Sequence, residues 1–455
     1  MSGMAWGALI ERFSRDAPVA TMVRGLLANI LSREELDAIF RDAAERQYED
    51  ELLFSSVVEL LGLVVSKAKP SLHAAYQTHR EQLGVSVQSL YNKVNGTEPQ
   101  VVRELVSRTA EKMRAVIAAL APRPGTLEGY ELRILDGSHL AATQHRLQEL
   151  RTLRGGPLPG QALVVLDPRL GLITDLIPCE DGHAQERSLL PEWVDLLQPN
   201  QLWIADRNFC TRLFLHEIAL NKAFFLVRQH AGLSVESRGE RRAAGRTQEG
   251  RLWEEDVAVP DGFGQELLCR RITLELDVPT ANGERTIQLL TNLPPEVTAA
   301  TAADEYRSRW GIEQVFGELT LALHGEIETL GYPRGALLAY AIALVTYNVL
   351  SVVRAALRVA HGAERVEQEV SFYYLADEVS GVSRGLEIAI PAGEWTRRFA
   401  QLEPQPLAQA LVTIARHADL RRYLKHPRPA KKPPPKRKGA RQHVSTAKVL
   451  SKRQR

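Results

Sequence analysis

Hydrophobic positions change period twice along the chain. Up to about residue 121 they recur at helical spacing, as in Leu52, Leu53, Val57, Leu60, Leu61 and Val64. Ser32-Arg33-Glu34-Glu35 has the form of a capping box ahead of Leu36, Ile39 and Phe40. Pro122-Arg123-Pro124-Gly125 then breaks the pattern and predicts a domain boundary. From Tyr130 the period shortens. Residues 130–136 alternate, with Leu132 and Ile134 on one face, and 162–166 and 172–177 are short apolar runs turned by Pro168 and Gly171. A helical stretch at about 183–197, a buried strand at 201–206, a helix at about 211–221 and a strand at 223–227 follow. Three strands joined by short turns, then helix, strand, helix and strand, predict an α/β fold: a mixed sheet with helices on its faces.

Residues 231–295 interrupt that series. Short apolar runs between Gly, Pro and Asn turns predict a β-rich insertion, with Arg238, Arg241, Arg242, Arg246 and Arg251 leading up to Trp253. Helical spacing returns from Thr298. Residues 335–353 are almost continuously apolar, about the length that spans a bilayer. Tyr340, Thr346, Tyr347 and Asn348 lie within them, and no other segment resembles this one, so the reading is a core helix rather than a membrane span. Two or three further helices are expected across 365–424. The organisation expected is thus a helical N-terminal region (1–121), a sheet domain in two pieces (126–230 and 296–360), the insertion (231–295), a helical C-terminal region (361–424) and a basic tail (425–455).

Composition changes this picture in one respect. At 455 residues, with 44% hydrophobic and 25% charged, the chain is ordinary for a globular protein of about three domains. Its three cysteines are far apart and form neither a disulfide framework nor a zinc site, which suits a reducing cytoplasm; residues 1–15 lack the basic-then-apolar order of a signal peptide. The net charge of +2, however, hides fourteen Lys and Arg after residue 420 with no acid among them, which leaves 2 − 14 = −12 for the first 420 residues. A basic tail on an acidic body points to a polyanion partner or to a merely solvated end. The tail's Pro- and Lys-rich composition predicts disorder in the free protein.

Three groups of residues carry candidate chemistry. Residues 79–93 read as a helix, a turn at Gly84 and a second helix capped at Ser86. As a helix-turn-helix they would expose Gln88, Ser89, Asn92 and Lys93 to base edges or phosphates; as ordinary packed helices they would not. Asp136, before Gly137-Ser138, and Asp206, before Arg207-Asn208-Phe209, each close an apolar strand, a poor place for a carboxylate to pack and a usual place for a site. Tyr306, Arg309 and Glu313 are spaced by three and four and so share a helical face, with Trp310, Ile312, Val315, Phe316 and Leu319 available for packing. Such a face can hold a metal-binding carboxylate beside a phosphate-binding guanidinium, or be only a surface ion pair.

Taken together, Asp136-Gly137-Ser138, Asp206-Arg207-Asn208-Phe209 and Tyr306-x-x-Arg309-x-x-x-Glu313 resemble the DDE transposases of the insertion-sequence-four family, over about residues 30–360. The resemblance implies a ribonuclease-H-like catalytic domain with a β-rich insertion between the second Asp and the Glu, here a gap of 313 − 206 = 107 residues. It implies Asp136, Asp206 and Glu313 as catalytic carboxylates holding two Mg²⁺ ions, with Mn²⁺ able to substitute. Tyr306 and Arg309 would hold transposon-end DNA. The family's Lys, seven residues after the Glu, is replaced here by Thr320; His324 is a candidate substitute.

Two Mg²⁺ about 3.5–4 Å apart activate a water and stabilise the leaving oxygen in phosphodiester cleavage, with hard carboxylate oxygens as ligands. Asp136 would bridge the ions, with Asp206 and Glu313 each on one. Trp253 is expected either to stack on an unpaired base or to pack, and the arginines before it to follow the DNA backbone. The implied partners are double-stranded DNA and a second copy of the chain, with no membrane, in the nucleoid-associated cytoplasm. A nuclease that cuts without joining and a degenerate copy that only binds DNA are the alternatives.

Overall fold

The computed structural model describes residues 3–47, 51–120, 122–123, 127–280, 283–426 and 442–452. Twelve strands are formed: β1 Glu131–His139, β2 Gly156–Leu158, β3 Gln161–Asp167, β4 Leu172–Cys179, β5 Gln201–Ala205, β6 Phe224–Arg228, β7 Glu236–Ser237, β8 Arg242–Arg246, β9 Gly250–Pro260, β10 Glu266–Leu276, β11 Thr286–Thr291 and β12 His443–Ser445. Ten of them make one sheet in the order β4-β3-β1-β5-β6-β11-β10-β9-β7, with β8 also on β9. Strand β1 is antiparallel to β3 and parallel to β5, and β5 is parallel to β6. This is the mixed α/β sheet expected, with β1 at its switch from antiparallel to parallel pairing.

The two faces of the sheet follow from period-two alternation. Leu132 and Ile134 of β1, Leu202 and Ile204 of β5, and Val164 of β3 join the larger core; Leu135, Trp203, Ala205 and Val165 join the smaller one. The larger core runs continuously from Ile10 to Tyr423. The helices Phe54–Val65, Pro99–Ala119 and Pro333–His361 pack in it together, so the helical regions before 121 and after 361 share the interior of the sheet domain rather than standing apart. At the expected boundary, the Arg123 guanidinium bonds Glu367 (2.8 Å) and the Pro168 carbonyl (3.2 Å); Pro124 and Gly125 lie outside the described residues. The smaller core is covered by the helix Arg212–Leu220 and by the turns around Trp193, which stacks on Phe214.

Several expectations are corrected. The link from β1 to β3 is no short turn, since residues 140–160 carry a 3₁₀ turn and β2. The stretch 183–197 is 3₁₀ turns around a four-residue helix, Leu190–Trp193, because Pro191 supplies no N–H for a longer one. The insertion is not a separate body: β11 pairs with β6, so its strands prolong the same sheet. Its five leading arginines add little net charge, for residues 231–295 carry eight Arg and eleven acids, 8 − 11 = −3. Arg238 bonds Glu236 and Glu266, Arg241 bonds Glu275, Arg242 bonds Asp256 and Arg246 bonds Asp277. The tail from 425 was expected to be disordered throughout. Residues 427–441 and 453–455 lie outside the described residues, but His443–Ser445 adds to β2, Thr446–Ser451 is helical, and Lys448 Nζ reaches Asp181 at 2.9 Å. A buried Thr446 and a short strand hold this end against the body.

Pro333–His361 is the one helix among the described residues long and apolar enough to cross a membrane, and 94% of its most apolar window is buried in the protein. Its Asn348 explains a polar residue in such a run. Strand β4 is a sheet edge, and the Asn348 amide closes it at Ile173, accepting from the backbone N–H at 2.8 Å and donating to the carbonyl at 2.7 Å. Substituting Asn348→Leu, of similar size, leaves both backbone groups buried and unpaired. The expected loss is about 2–4 kcal/mol of unfolding free energy, read as a lower urea midpoint at unchanged slope.

A carboxylate site at the switch of the sheet

The strand alternation that buries Leu132 and Ile134 carries on to Asp136, and that of Leu202 and Ile204 carries on to Asp206. The β1–β5 ladder ends on Leu135 with Ala205, so the two aspartates are the next neighbours in register, on the same face. Asp136 was expected at the end of its strand. It lies inside β1, which continues to His139 and pairs Asp136 with Val164 of β3. Asp206 follows β5 as the cap of a 3₁₀ turn, its Oδ1 accepting from the Asn208 N–H at 2.8 Å.

Burial makes this pair expensive. The Asp136 carboxyl is pushed up to about 7, first by loss of solvent and further by the charges of Asp206 and Glu186, against the Gly137 N–H (2.9 Å) and Arg309, which favour its charged form.

Across that face stands the Tyr306–Glu313 segment. The single helix expected is in fact two: Ala299–Tyr306, a 3₁₀ turn Arg307–Arg309, and Trp310–Ala322. The three residues nevertheless meet. Arg309 Nη2 donates to Glu313 Oε1 at 2.7 Å and Nη1 lies 3.6 Å from Asp136 Oδ2. Tyr306, interacting with Arg309 and Asp206, has its hydroxyl pushed up to about 12, chiefly by burial. Burial works against the Arg309 charge, but Tyr306, Glu313 and Asp136 together hold it firmly protonated. Its Nε is buried and bonds nothing. Trp310, read as a packing position, is instead 61% exposed.

The site therefore brings Asp136, Asp206, Tyr306, Arg309 and Glu313 together. Glu186, not foreseen, also belongs to it. From the turn Glu186–Leu189 its carboxylate accepts from the Asn208 side chain and lies 3.7 Å from His139 Nδ1. The only signal in the sequence was Gly137, where a Cβ would overlap the Glu186 carboxyl.

The oxygen donors of Asp136 and Asp206 suit a hard divalent cation, and a cation would relieve the charge that burial penalises. Among the described residues, however, no three His, Cys, Asp or Glu side chains stand as a group that could hold a metal, because Arg309 occupies the space between Asp136 and Glu313.

The other candidates lie elsewhere. The helix-turn-helix forms as spaced: Leu72–Leu83, Gly84 at φ 68°, then Val87–Gly96 with Ser86 as its cap. Gln88 and Asn92 are exposed and bond one another at 2.8 Å. Lys93 was expected to be exposed with them. It is buried, its ammonium 3.7 Å over the Phe40 ring, because position 93 falls on the Leu90–Val94 stripe that faces the core. Trp253 sits in β9 opposite Thr273 and Ala243, with the Arg241 guanidinium 4.6 Å over its ring. Thr320 is exposed and bonds the Phe316 carbonyl of its own helix. His324 does not share the face of Glu313, since the helix ends at Ala322, and its N–H goes to the Val65 carbonyl.

Residues 128–349 match the family of the transposase DDE domain, which supports a DDE transposase. No curated protein matches the chain. Among solved structures, it is similar to the cryo-EM structure of the piggyBac transposase synaptic complex with hairpin DNA, at 11% identity and a TM-score of 0.39, covering 87% of this chain and 85% of that one. Similarity at that level leaves the chemistry to be read from the chain's own residues.

The raised Asp136 predicts a cost to stability. The cost is absent below the ordinary aspartate value of 3.8, grows as pH rises, and is complete above about 7. Asp136→Asn is expected to melt above the parent at pH 8, with the gain vanishing toward pH 4. Moving the carboxyl from 3.8 to about 7 sets an upper bound on that gain of about 4 kcal/mol. Thermal melts without added metal, across that range, check it.

Proposed function

We propose that the chain is a DNA transposase of the insertion-sequence-four type, which cleaves transposon ends by metal-dependent phosphodiester hydrolysis and joins the freed 3′-OH to target DNA. The observation that carries this reading is Asp136 and Asp206 side by side, one step beyond the Leu135–Ala205 pair of parallel strands, with Arg309 bridging Asp136 and Glu313. Asp136, Asp206 and Glu313 would hold the Mg²⁺. Bound there, such ions activate the attacking water and neutralise the leaving oxygen.

Arg309 has a second task in this reading. Without DNA it neutralises Asp136 and ties up Glu313. A phosphodiester at the site offers the guanidinium a better-matched, bidentate partner. A guanidinium drawn to the phosphate would leave both carboxylates free to hold metal. Tyr306, kept protonated by burial, donates a hydrogen bond without adding charge. Gln88 and Asn92 would meet DNA from the helix-turn-helix, and the second end would be brought by a second copy of the chain.

The test is cleavage of a duplex carrying the inverted repeats that flank the reading frame, in Mg²⁺ or Mn²⁺, with a plasmid target. Asp136→Ala, Asp206→Ala and Glu313→Ala should each abolish cleavage while end binding stays close to that of the parent chain. Arg309→Gln should weaken end binding and lower its salt dependence by about one phosphate contact. Near-normal cutting by Glu313→Ala would overturn the carboxylate assignment. Cleavage without any joined product would favour a nuclease.

A further inference from the structure

Glu186 is the one acid at the site to which the proposed reaction gives no task. It arrives from the opposite side of the sheet. The residues that come after it, Leu189, Leu190 and Trp193, belong to the smaller core, on the face away from Arg309. Its carboxyl lies against the β1 backbone at Gly137, on the side away from Asp136 and toward His139. A Cβ at that position would lie 2.9 Å from Glu186 Cγ and would overlap the carboxyl beyond it. The glycine of Asp136-Gly137-Ser138 is therefore the opening through which Glu186 meets β1.

What Glu186 does there is visible in its partners. One oxygen accepts from the Asn208 side-chain amide, and the backbone N–H of the same Asn208 donates to Asp206 Oδ1 at 2.8 Å. Asn208 is thus clamped between the two carboxylates, and its position sets where the Asp206 turn sits against β1. The other oxygen lies toward His139, at 3.7 Å. The turn that carries Glu186 is itself fastened: the Gln161 amide donates to the Ala184 carbonyl at 2.6 Å, and Asp181 accepts from the His183 N–H at 2.9 Å and binds Lys448 of the C-terminal segment at 2.9 Å.

We propose that Glu186 is a positioning residue of the two-aspartate site, fixing Asp206 through Asn208 and admitted to β1 by Gly137. The proposal rests on the reading that Asp136 and Asp206 hold metal. Outer partners of this kind change metal affinity without touching the ion.

The test is Mn²⁺ affinity of the full chain, measured by electron paramagnetic resonance of free Mn²⁺, with thermal melts alongside. Glu186→Ala and Asn208→Ala should each weaken binding by about 10-fold or more, and the double variant no further than either alone. Glu186→Gln keeps an acceptor for the Asn208 amide and should stay within about threefold of the parent chain. Gly137→Ala, which fills the opening, should weaken Mn²⁺ binding as Glu186→Ala does. The proposal is overturned if Glu186→Ala binds Mn²⁺ as the parent does, or if the two alanine effects add. It is equally overturned if Glu186→Gln is as weak as Glu186→Ala, which would make the carboxylate charge itself the acting group. Loss of affinity matched by a collapsed melting temperature in every variant would reduce Glu186 to a packing role and also sink it. Asp136→Asn is the control for the metal site: unchanged Mn²⁺ affinity there would remove the site itself, whatever Glu186 does.

Discussion

A buried carboxylate beside another carboxylate is tolerated only if a cation stands near or solvent reaches in. The structure is organised around that constraint. The sheet forces it, because Leu132–Ile134–Asp136 and Leu202–Ile204–Asp206 run in step on neighbouring strands and alternation sends both acids to one face. The helix beyond the insertion answers it with Arg309. The 3₁₀ turn at Arg307–Arg309 breaks what would otherwise be a straight helix just where the guanidinium reaches Asp136 and Glu313 together. Glu186 adds to the load and, through Asn208, to the order of the site. Asn348 acts at a distance from the site, closing the free β4 edge of the sheet, two strands from β1.

The sequence showed those parts whose reason is local. Alternating and helical periods located the strands that carry Asp136 and Asp206 to within a residue or two at most ends, because an apolar run closed by a carboxylate has few other uses. The Tyr306, Arg309, Glu313 spacing was legible for a similar reason, and the 3₁₀ turn between its two helices was not, because nothing in Arg307-Ser308-Arg309 forbids a continuous helix. Glu186 was invisible. It is 50 residues beyond Asp136 and 20 before Asp206, in a turn, and only its packing against Gly137 and Asn208 brings it in. Lys93 failed for the opposite reason: its type suggests solvent, but its helical position points inward, and an ammonium over the Phe40 ring is a satisfied way to be there.

Charge read along the sequence was less informative than charge read in space. The arginine run before Trp253 looked like a backbone-tracking strip, yet the acids on β7, β9 and β10 and in the turn after β10 pair with it across the ladder. Those pairs are exposed and individually weak, so a polyanion could compete for the arginines, but the insertion does not present them bare. The C-terminal segment errs the other way. Its composition argued for a loose end, while His443–Ser445 adds a strand to Gly156–Leu158 and Lys448 joins Asp181 on the turn that leads to Glu186.

The Arg309 arrangement also bears on Thr320. In the resembling family a lysine about two turns beyond the glutamate would share the phosphate load with the arginine. Here Thr320 is spent on its own helix, and His324 is off it altogether. Arg309 is already shared by two carboxylates. On the proposed reading, a phosphate that drew it away would leave Asp136 and Glu313 uncompensated unless a cation came with it. On that reading DNA and metal would be coupled, each making the place for the other.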